Sequence, residues 1–294
     1  MKHRPIRFTL TTAFLLLTAA CVPAPESAAQ QDAQTAAPAT PALTTTTILT
    51  APDGRKIDMT VIAPANPRGV ILFSHGGNSN PLATNVLHQR LTARGFAVIA
   101  PTHTDSLSLP PERRTDLQSA LITRVTDLKV AAELAATRFP DLPTAQVGYS
   151  YGSLVSLMGV GAFAAMIPAS NPDVKAAVMF SSPGPIPPLT GAPGAFDAVT
   201  KPTLLVTGDA DIVPGFAEDP TQHLIYWEKL PAGDHTAAIV AGATHEFAGG
   251  TQPGWDAVAA MVDDFLAGRV FGDAAADARF DAAASNDVVT IRRR

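Results

Sequence analysis

Residues 146–154 read Gln-Val-Gly-Tyr-Ser-Tyr-Gly-Ser-Leu, and this stretch decides how the rest of the chain is interpreted. It contains the pattern Gly-x-Ser-x-Gly, with Gly148 and Gly152 on either side of Ser150. Glycines at these positions allow a sharp turn between a strand and a helix, where larger side chains would collide with both elements. The pattern alone is weak, because an ordinary loop in a chain containing 21 glycines fits it too.

The neighbouring residues favour the strand–turn–helix interpretation. Residues 145–148 are short and apolar, as expected of a buried strand, and residues 154–160 form an apolar run that fits a buried helix. Such a turn holds a serine at its apex, and the N–H groups of the following helix point toward it. The sequence therefore predicts a nucleophile elbow with Ser150 as the nucleophile.

Composition indicates a globular protein and gives no sign of nucleic acid as a partner. The chain has 294 residues, of which 46% are hydrophobic and 16% charged, which suits a well-filled interior. Its formal net charge is −5, and the basic cluster at residues 292–294 is only three residues long. Cys21 is the only cysteine, so no disulfide can form within the chain.

The N-terminal residues predict export. Residues 1–20 combine a basic start with an uncharged apolar run that ends in small residues, as in a signal peptide. Cys21 follows directly, and its surroundings resemble the lipobox of bacterial lipoproteins, in which the cysteine is lipidated. We expect a protein anchored to the bacterial envelope through Cys21, or one released to the periplasm or the medium after cleavage elsewhere. Residues 21–44, rich in Ala, Pro and Thr, are predicted to form a flexible tether.

One domain is predicted over residues 45–272, followed by a tail at 273–294 whose packing the sequence does not indicate. A turn signal at residues 52–54 predicts an N-terminal antiparallel hairpin. Beyond it, apolar runs alternate with segments of helical spacing, which indicates an α/β fold with a mostly parallel central sheet and helices on both faces. Residues 181–200 lack helical periodicity, so no large helical lid is expected. The predicted strands are 45–49, 56–62, 69–74, 96–100, 145–148, 176–180, 203–207 and 236–240, and the main predicted helices are 87–96, 117–139, 154–160, 220–229 and 255–266.

Together these motifs resemble the α/β-hydrolase superfamily over roughly residues 45–270. His75-Gly76-Gly77 matches its oxyanion loop, and Ser150, Asp211 and His245 follow in the family's order of nucleophile, acid and histidine. Each motif follows a predicted strand, so all would meet at one edge of the sheet. The resemblance implies that His245 is the general base and that Asp211 orients it. It further implies oxyanion donors from the backbone of Tyr151 and of Gly77, with Asn78 as the alternative to Gly77.

Several alternatives stay open at this stage. Asp209 could replace Asp211 as the acid, and His235 could replace His245, although His235 precedes its strand. His103, on a polar loop at residues 102–116, could line the substrate cleft or be an exposed loop residue, and Tyr149 could contact substrate or pack beneath the elbow. No two histidines have the spacing of metal ligands, so no metal and no cofactor are expected.

Within the superfamily, residues 73–76, 95–101 and 242–245 are similar to dienelactone-hydrolase-like esterases and the platelet-activating-factor acetylhydrolase group. Dienelactone hydrolases proper use a cysteine where this chain has Ser150, which favours general ester hydrolysis. The resemblance thus implies a serine esterase acting on a small-molecule or lipid-like ester. The alternatives are the same chemistry on an amide, peptide or polyester bond, and a non-catalytic envelope lipoprotein that binds a ligand.

Overall fold

A computed structural model describes residues 42–294. The predicted signal peptide, Cys21 and nearly all of the predicted tether lie outside these residues. The described part is built on one nine-stranded sheet. Its strands are β1 Leu43–Thr50, β2 Lys56–Ala63, β3 Gly69–Ser74, β4 Phe96–Pro101, β5 Thr144–Tyr149, β6 Val174–Phe180, β7 Thr203–Gly208, β8 His235–Val240 and β9 Val289–Arg293.

The sheet order is β1-β2-β4-β3-β5-β6-β7-β8-β9. Strands β3 to β8 run parallel, while β1, β2 and β9 are antiparallel to their neighbours. Strands β3, β4 and β7 have six residues each, and every one of these residues is buried, because helices cover both faces of a parallel sheet. From β3 the next strand, β4, is added on one side, and β5 is then added on the other side of β3. Ligands of open α/β sheets bind at the carboxyl ends of the strands near such a reversal of strand order.

Helices cover both faces of the sheet, each over its own apolar cluster. Residues of α2 and α3 belong to one cluster, and residues of α1 and α5 belong to the other. The carboxylate of Asp116 begins α2 by accepting a 2.9 Å hydrogen bond from the backbone N–H of Ser119. The helices are α1 Asn85–Ala93, α2 Leu117–Arg138, α3 Tyr151–Gly159, α4 Ile225–Lys229, α5 Trp255–Phe271 and α6 Ala274–Ala282.

Residues 273–294 complete the fold, although the sequence analysis set them apart as a tail. They form α6 and then β9, which pairs antiparallel with β8. Phe280 of α6 is buried, with its ring centroid 5.1 Å from that of Phe265 in α5. Arg269 of α5 binds both Asp277 and Asp281 of α6. A helix rich in Ala and Asp carries a weak apolar pattern, which is why its packing was not evident from sequence.

Residues 181–202, between β6 and β7, contain one 3₁₀ turn at Leu189–Gly191 and no α-helix. This agrees with the expectation that no helical lid covers the site. Among residues 42–294, no helix has both the length and the apolar character needed to cross a membrane.

Candidate active site

Ser150 occupies the turn between β5 and α3 with a backbone that few L-residues adopt. Its φ is +52° and its ψ is −121°, a strained conformation of the kind that clusters at functional sites. Helix α3 crosses the end of the neighbouring strand β3 so closely that a Cβ on Gly152 would lie 1.9 Å from the carbonyl oxygen of Ser74. A Cβ on Gly148 would similarly lie 2.2 Å from the carbonyl oxygen of Gly152. The pattern of glycines around Ser150 therefore follows from this crossing of strand and helix.

Ser150, His245 and Asp211 form a hydrogen-bonded chain at the carboxyl edge of the sheet. His245 Nε2 lies 2.9 Å from Ser150 Oγ, and His245 Nδ1 lies 2.8 Å from Asp211 Oδ1. A carboxylate can only accept, so Nδ1 carries the ring proton and Nε2 is left to accept the serine proton. Ser150 and His245 are half-buried, whereas Asp211 is buried.

The environment of Asp211 favours the charged carboxylate. Burial alone would raise the pKa of Asp211, but hydrogen bonds from His223 and His245 outweigh it and hold this pKa well below its ordinary value. The hydroxyl of Thr207 donates a further 2.9 Å hydrogen bond to Oδ2. Asp211 is therefore an anion held in a fixed orientation toward His245.

The two alternative residues lie elsewhere. Asp209 accepts a 2.6 Å hydrogen bond from the backbone N–H of Gly242 and does not contact His245. His235 begins β8, at the opposite end of that strand from the loop carrying His245, and its Nδ1 lies 3.0 Å from Thr203 Oγ1. Neither residue joins the chain that ends at Ser150.

The backbone N–H groups of Gly77 and Tyr151 lie beside Ser150 and make no hydrogen bond among residues 42–294. A Cβ on Gly77 would lie 3.7 Å from Cβ of Tyr151, so the two residues are neighbours. The N–H of Asn78, in contrast, donates a 2.8 Å hydrogen bond to Asp105 Oδ2. The N–H of Asn78 is therefore occupied, whereas those of Gly77 and Tyr151 are free to face a developing negative charge.

A fully buried arginine holds the loop that carries Gly77. Arg124 of α2 donates to both carboxylate oxygens of Asp105, at 2.8 and 2.7 Å. It also donates to the carbonyl oxygens of His75, at 2.6 Å, and Gly76, at 3.0 Å, and to Ser74 Oγ at 3.3 Å. These five contacts use every N–H of the guanidinium. Sequence analysis missed Arg124 and Asp105, because neither belongs to a motif.

His103 does not line the substrate cleft, and it is not an exposed loop residue. Its side chain is fully buried, with Nε2 2.9 Å from Ser74 Oγ and Nδ1 2.9 Å from Asp127 Oδ2. Its backbone N–H donates to His75 Nε2 at 3.0 Å. Burial, reinforced by the charge of Arg124, holds the pKa of His103 well below its ordinary value. Ser74, His103 and Asp127 thus form a second Ser–His–Asp chain, one that solvent cannot reach.

Tyr149 and Tyr151, which flank the nucleophile, both support the site from within. Tyr149 is buried, with its ring centroid 5.2 Å from that of His245, and burial raises the pKa of its hydroxyl. It therefore packs beneath the elbow, and little of it faces the cleft. The hydroxyl of Tyr151 donates a 2.8 Å hydrogen bond to the carbonyl oxygen of Leu117 at the start of α2.

His223 is a further residue that sequence analysis missed. It is buried, and its Nε2 lies 3.0 Å from Asp211 Oδ1. One ligand atom from each of Asp211, His223 and His245 lies within 4.8 Å of the others, close enough to hold a single metal ion. Both nitrogens, however, lie at hydrogen-bond distance from the same carboxylate oxygen. Because a histidine nitrogen that binds metal cannot carry a proton, we assign hydrogen bonds here.

Two cavities, of 250 and 410 Å³, lie beside α2 and its C-terminal end. None of the residues that line them belongs to the group around Ser150. The position of the candidate site therefore depends on the chemistry of its side chains and not on the size of a cavity.

Comparisons with known proteins agree with this architecture. A cold-adapted esterase from an Arctic intertidal metagenomic library, solved as a complex with polyethylene glycol, superposes with a TM-score of 0.56. The match covers 76% of this chain and 93% of the esterase at 18% sequence identity, a level at which it supports the fold alone. The chain therefore has a mixed α/β structure with the α/β-hydrolase fold.

Sequence comparison identifies two proteins of Mycobacterium tuberculosis, from strains CDC 1551 / Oshkosh and ATCC 25618 / H37Rv, each provisionally named a phosphoribosyl transferase. Each is 31% identical over 191 residues, which cover 63% of this chain and 38% of the relative. The chain thus spans about two fifths of the length of these relatives. No protein-family model matches the chain.

Proposed function

We propose that this protein is a serine hydrolase that cleaves carboxylic esters through an acyl-enzyme on Ser150. The observation that carries the proposal is the hydrogen-bonded chain from Ser150 through His245 to Asp211, at 2.9 and 2.8 Å. A serine hydroxyl is a weak nucleophile at neutral pH unless a base contacts it. Here the base is in contact, and its other nitrogen is hydrogen-bonded to a buried carboxylate. The N–H groups of Gly77 and Tyr151, which make no hydrogen bond among residues 42–294, lie beside the serine.

In the first half of the reaction, Ser150 Oγ bonds to the carbonyl carbon of the ester while its proton passes to His245 Nε2. The carbonyl π electrons move to oxygen, and the N–H groups of Gly77 and Tyr151 stabilise that oxyanion. Loss of one such donor typically costs about 2.7–4 kcal/mol of transition-state stabilisation. When the oxyanion collapses, the bond to the alcohol oxygen breaks, and His245 returns the proton to the leaving alkoxide.

In the second half, water bonds to the acyl carbon and gives one proton to His245. The new oxyanion occupies the same two N–H groups, and its collapse breaks the bond to Ser150 Oγ. His245 then protonates the serine oxygen, and the carboxylic acid leaves. The net change is hydrolysis of one ester by one water. Asp211 remains ionised throughout and stabilises the imidazolium that forms twice in each cycle.

The substrate we propose is an ester with an apolar acyl or alcohol group. Leu107 follows β4, and Ile212 and Phe216 follow β7, and all three side chains are more than half exposed. Because carboxyl ends of parallel strands meet at one edge, these loops belong to the edge that carries Ser150. Exposed apolar groups near a site are a common feature of surfaces that bind apolar ligands.

Hydrolysis of a p-nitrophenyl ester series, from acetate to palmitate, tests this function. We expect release of p-nitrophenol by the unchanged chain and loss of at least 10³-fold in Ser150→Ala. Ser156→Ala is the matched control, since Ser156 lies on α3 and its buried hydroxyl has no hydrogen-bond partner among residues 42–294. Activity in Ser150→Ala equal to that of the unchanged chain would refute the proposal. Absence of ester hydrolysis in all three proteins would instead favour an amide, peptide or polyester substrate, or ligand binding without catalysis.

The provisional name of the mycobacterial relatives does not lead us to propose phosphoribosyl transfer. The match covers 38% of each relative, so that name can belong to residues with no counterpart here. The groups that converge on Ser150 are a base, a carboxylate and N–H donors, which are the catalytic groups used in acyl transfer.

Export and lipidation remain proposals based on residues 1–21. Labelling of expressing bacterial cells with radioactive palmitate tests them directly. We propose that the unchanged chain incorporates label in the membrane fraction and that Cys21→Ser does not. Equal labelling of both proteins, or of neither, would contradict lipidation at Cys21.

A further inference from the structure

Asp211 is shared by two histidines, and only one of them reaches the nucleophile. His245 binds Oδ1 and contacts Ser150, whereas His223 binds the same oxygen from the 3₁₀ turn at Pro220–Leu224. His223 is fully buried. The hydrolytic steps proposed above leave this second histidine without a role.

Both ring nitrogens of His223 face oxygen atoms that can only accept hydrogen bonds. Nδ1 contacts the carbonyl oxygen of Ser182. Nε2 lies 3.0 Å from Asp211 Oδ1 and 3.1 Å from the Asp211 carbonyl oxygen. A neutral imidazole has one N–H, so one of its nitrogens would direct a lone pair at an oxygen inside the protein. Only the doubly protonated ring satisfies both contacts.

Three elements pack against the His223 ring, and Asp211 contributes the charged group among them. The loop after β7 places Asp211 on Nε2, and the loop after β6 places the Ser182 carbonyl on Nδ1. The 3₁₀ turn after β8 stacks the His245 ring at a centroid distance of 5.8 Å. Burial alone would lower the pKa of His223, but the hydrogen bond to Asp211 and its charge raise it above the ordinary value.

We propose that His223 is a permanent imidazolium at neutral pH and acts as a positioning residue through Asp211, as a fourth member of the catalytic chain. The proposal rests on the proposed function for its effect on activity, but not for the charge itself. His223 binds one side of the carboxylate and partly neutralises it. Asp211 then orients His245 through Oδ1 while part of its own charge is balanced by His223.

Two effects on the pH profile of kcat/KM follow from this arrangement. On the acid side, replacing the cation by a neutral group leaves the charge of Asp211 uncompensated, so we expect the acid limb of kcat/KM at higher pH. The ring centroids of His223 and His245 lie 5.8 Å apart. A unit charge at that distance is worth roughly 1–2 pH units, so the acid limb of kcat/KM moves upward by that amount in His223→Gln. On the alkaline side, deprotonation of His223 breaks one of its two contacts. The unchanged enzyme therefore loses activity above the His223 pKa, and the variant lacks this limb.

Long-range ¹H–¹⁵N NMR tests the charge of His223 and does not require catalytic activity. The sample is the full chain with ¹⁵N at its seven histidines. At pH 7 we expect both nitrogens of His223 to resonate as protonated, and the signal to vanish in His223→Gln. If that variant does not fold, His223→Asn provides the assignment. Observation of a neutral tautomer for this residue at pH 7 would overturn the proposal.

The pH profile then tests the role, with a p-nitrophenyl ester that the unchanged chain hydrolyses. His235→Gln is the matched control, because His235 is a buried histidine at the far end of β8. We expect its profile to keep both limbs in place. A His223→Gln enzyme with a lower plateau but unmoved limbs would show a merely structural role and refute the proposal. Failure of the unchanged chain to hydrolyse any ester, together with a cationic His223, would refute the proposed function and retain the charge assignment.

Discussion

The guanidinium of Arg124 lies 2.7 Å from the carboxylate of Asp105, and both side chains are completely buried. Burying two charges is expensive, and a buried pair is often no more stabilising than apolar residues of the same volume. What this pair achieves is geometric. Arg124 binds the carbonyl oxygens of His75 and Gly76, and Asp105 binds the N–H of Asn78. Between them, they fix the backbone on both sides of Gly77 and so direct its N–H.

Arg124→Lys should therefore lower activity strongly, although the substitution keeps the positive charge. A lysine ammonium has three donors and no planar fork, so it cannot reproduce five contacts in a fixed geometry. We expect kcat to fall at least 10²-fold, as when an oxyanion donor is lost, and unfolding in urea to show a loss of about 2–4 kcal/mol. Arg113→Lys is the control, since Arg113 binds Asp58 in a pair that is partly exposed. Equal effects of both substitutions would contradict a special role for Arg124.

Acid should destabilise the protein partly through Asp105. Burial alone would raise the pKa of Asp105, but the hydrogen bonds and charge of Arg124, with the N–H of Asn78, lower it to about 2. In the unfolded chain the carboxyl of Asp105 binds a proton near pH 4. The stabilisation that Asp105 contributes is therefore complete above that pH and is lost as the pH falls toward 2. We expect a loss on the order of 2 kcal/mol over this interval, measured by urea unfolding.

The variant Asp105→Asn should show a smaller loss between pH 4 and 2 than the unchanged chain. If that variant does not fold, titration of the Asp105 carboxyl carbon by NMR measures the same quantity in the unchanged protein. A midpoint near pH 4 in that titration would contradict the role assigned to Asp105.

The two Ser–His–Asp chains should be distinguishable by a reactive probe. Ser150 is half-buried, whereas Ser74 is fully buried beneath the loop at residues 75–78. We expect a fluorophosphonate to label the unchanged chain and Ser74→Ala, but not Ser150→Ala, as read by mass spectrometry of the intact protein. Ser74→Ala should instead lose about 1–3 kcal/mol of stability, because one buried nitrogen of His103 and one N–H of Arg124 each lose the hydroxyl they contact. Labelling that persists in Ser150→Ala would contradict the assignment of the nucleophile.

The sequence was most informative where a local pattern and a physical constraint coincide. Continuous apolar runs predicted the buried strands, and the glycines at 148 and 152 predicted the close crossing at Ser150. The same reasoning missed Arg124, because a single arginine on an amphipathic helix usually faces solvent, and its partner is 19 residues away. His223 was missed since it belongs to no motif, and only the fold brings it to Asp211. The role of His103 depended on burial, which a polar loop sequence does not reveal.

The strand–helix crossing at Ser150 predicts a sharp difference between two glycine substitutions. In Gly152→Ala, the added Cβ would lie 1.9 Å from the carbonyl oxygen of Ser74, which is backbone and cannot move aside. We expect insoluble protein, or a loss of about 3 kcal/mol or more in the free energy of unfolding together with loss of the proposed esterase activity, because either β3 or α3 must shift. Gly191→Ala is the control, since a Cβ there meets no atom within 4 Å. It should keep its urea midpoint and its activity. A soluble, fully active Gly152→Ala protein would show that strand and helix are less tightly packed than described. It would also show that this packing does not hold Ser150 in its strained turn.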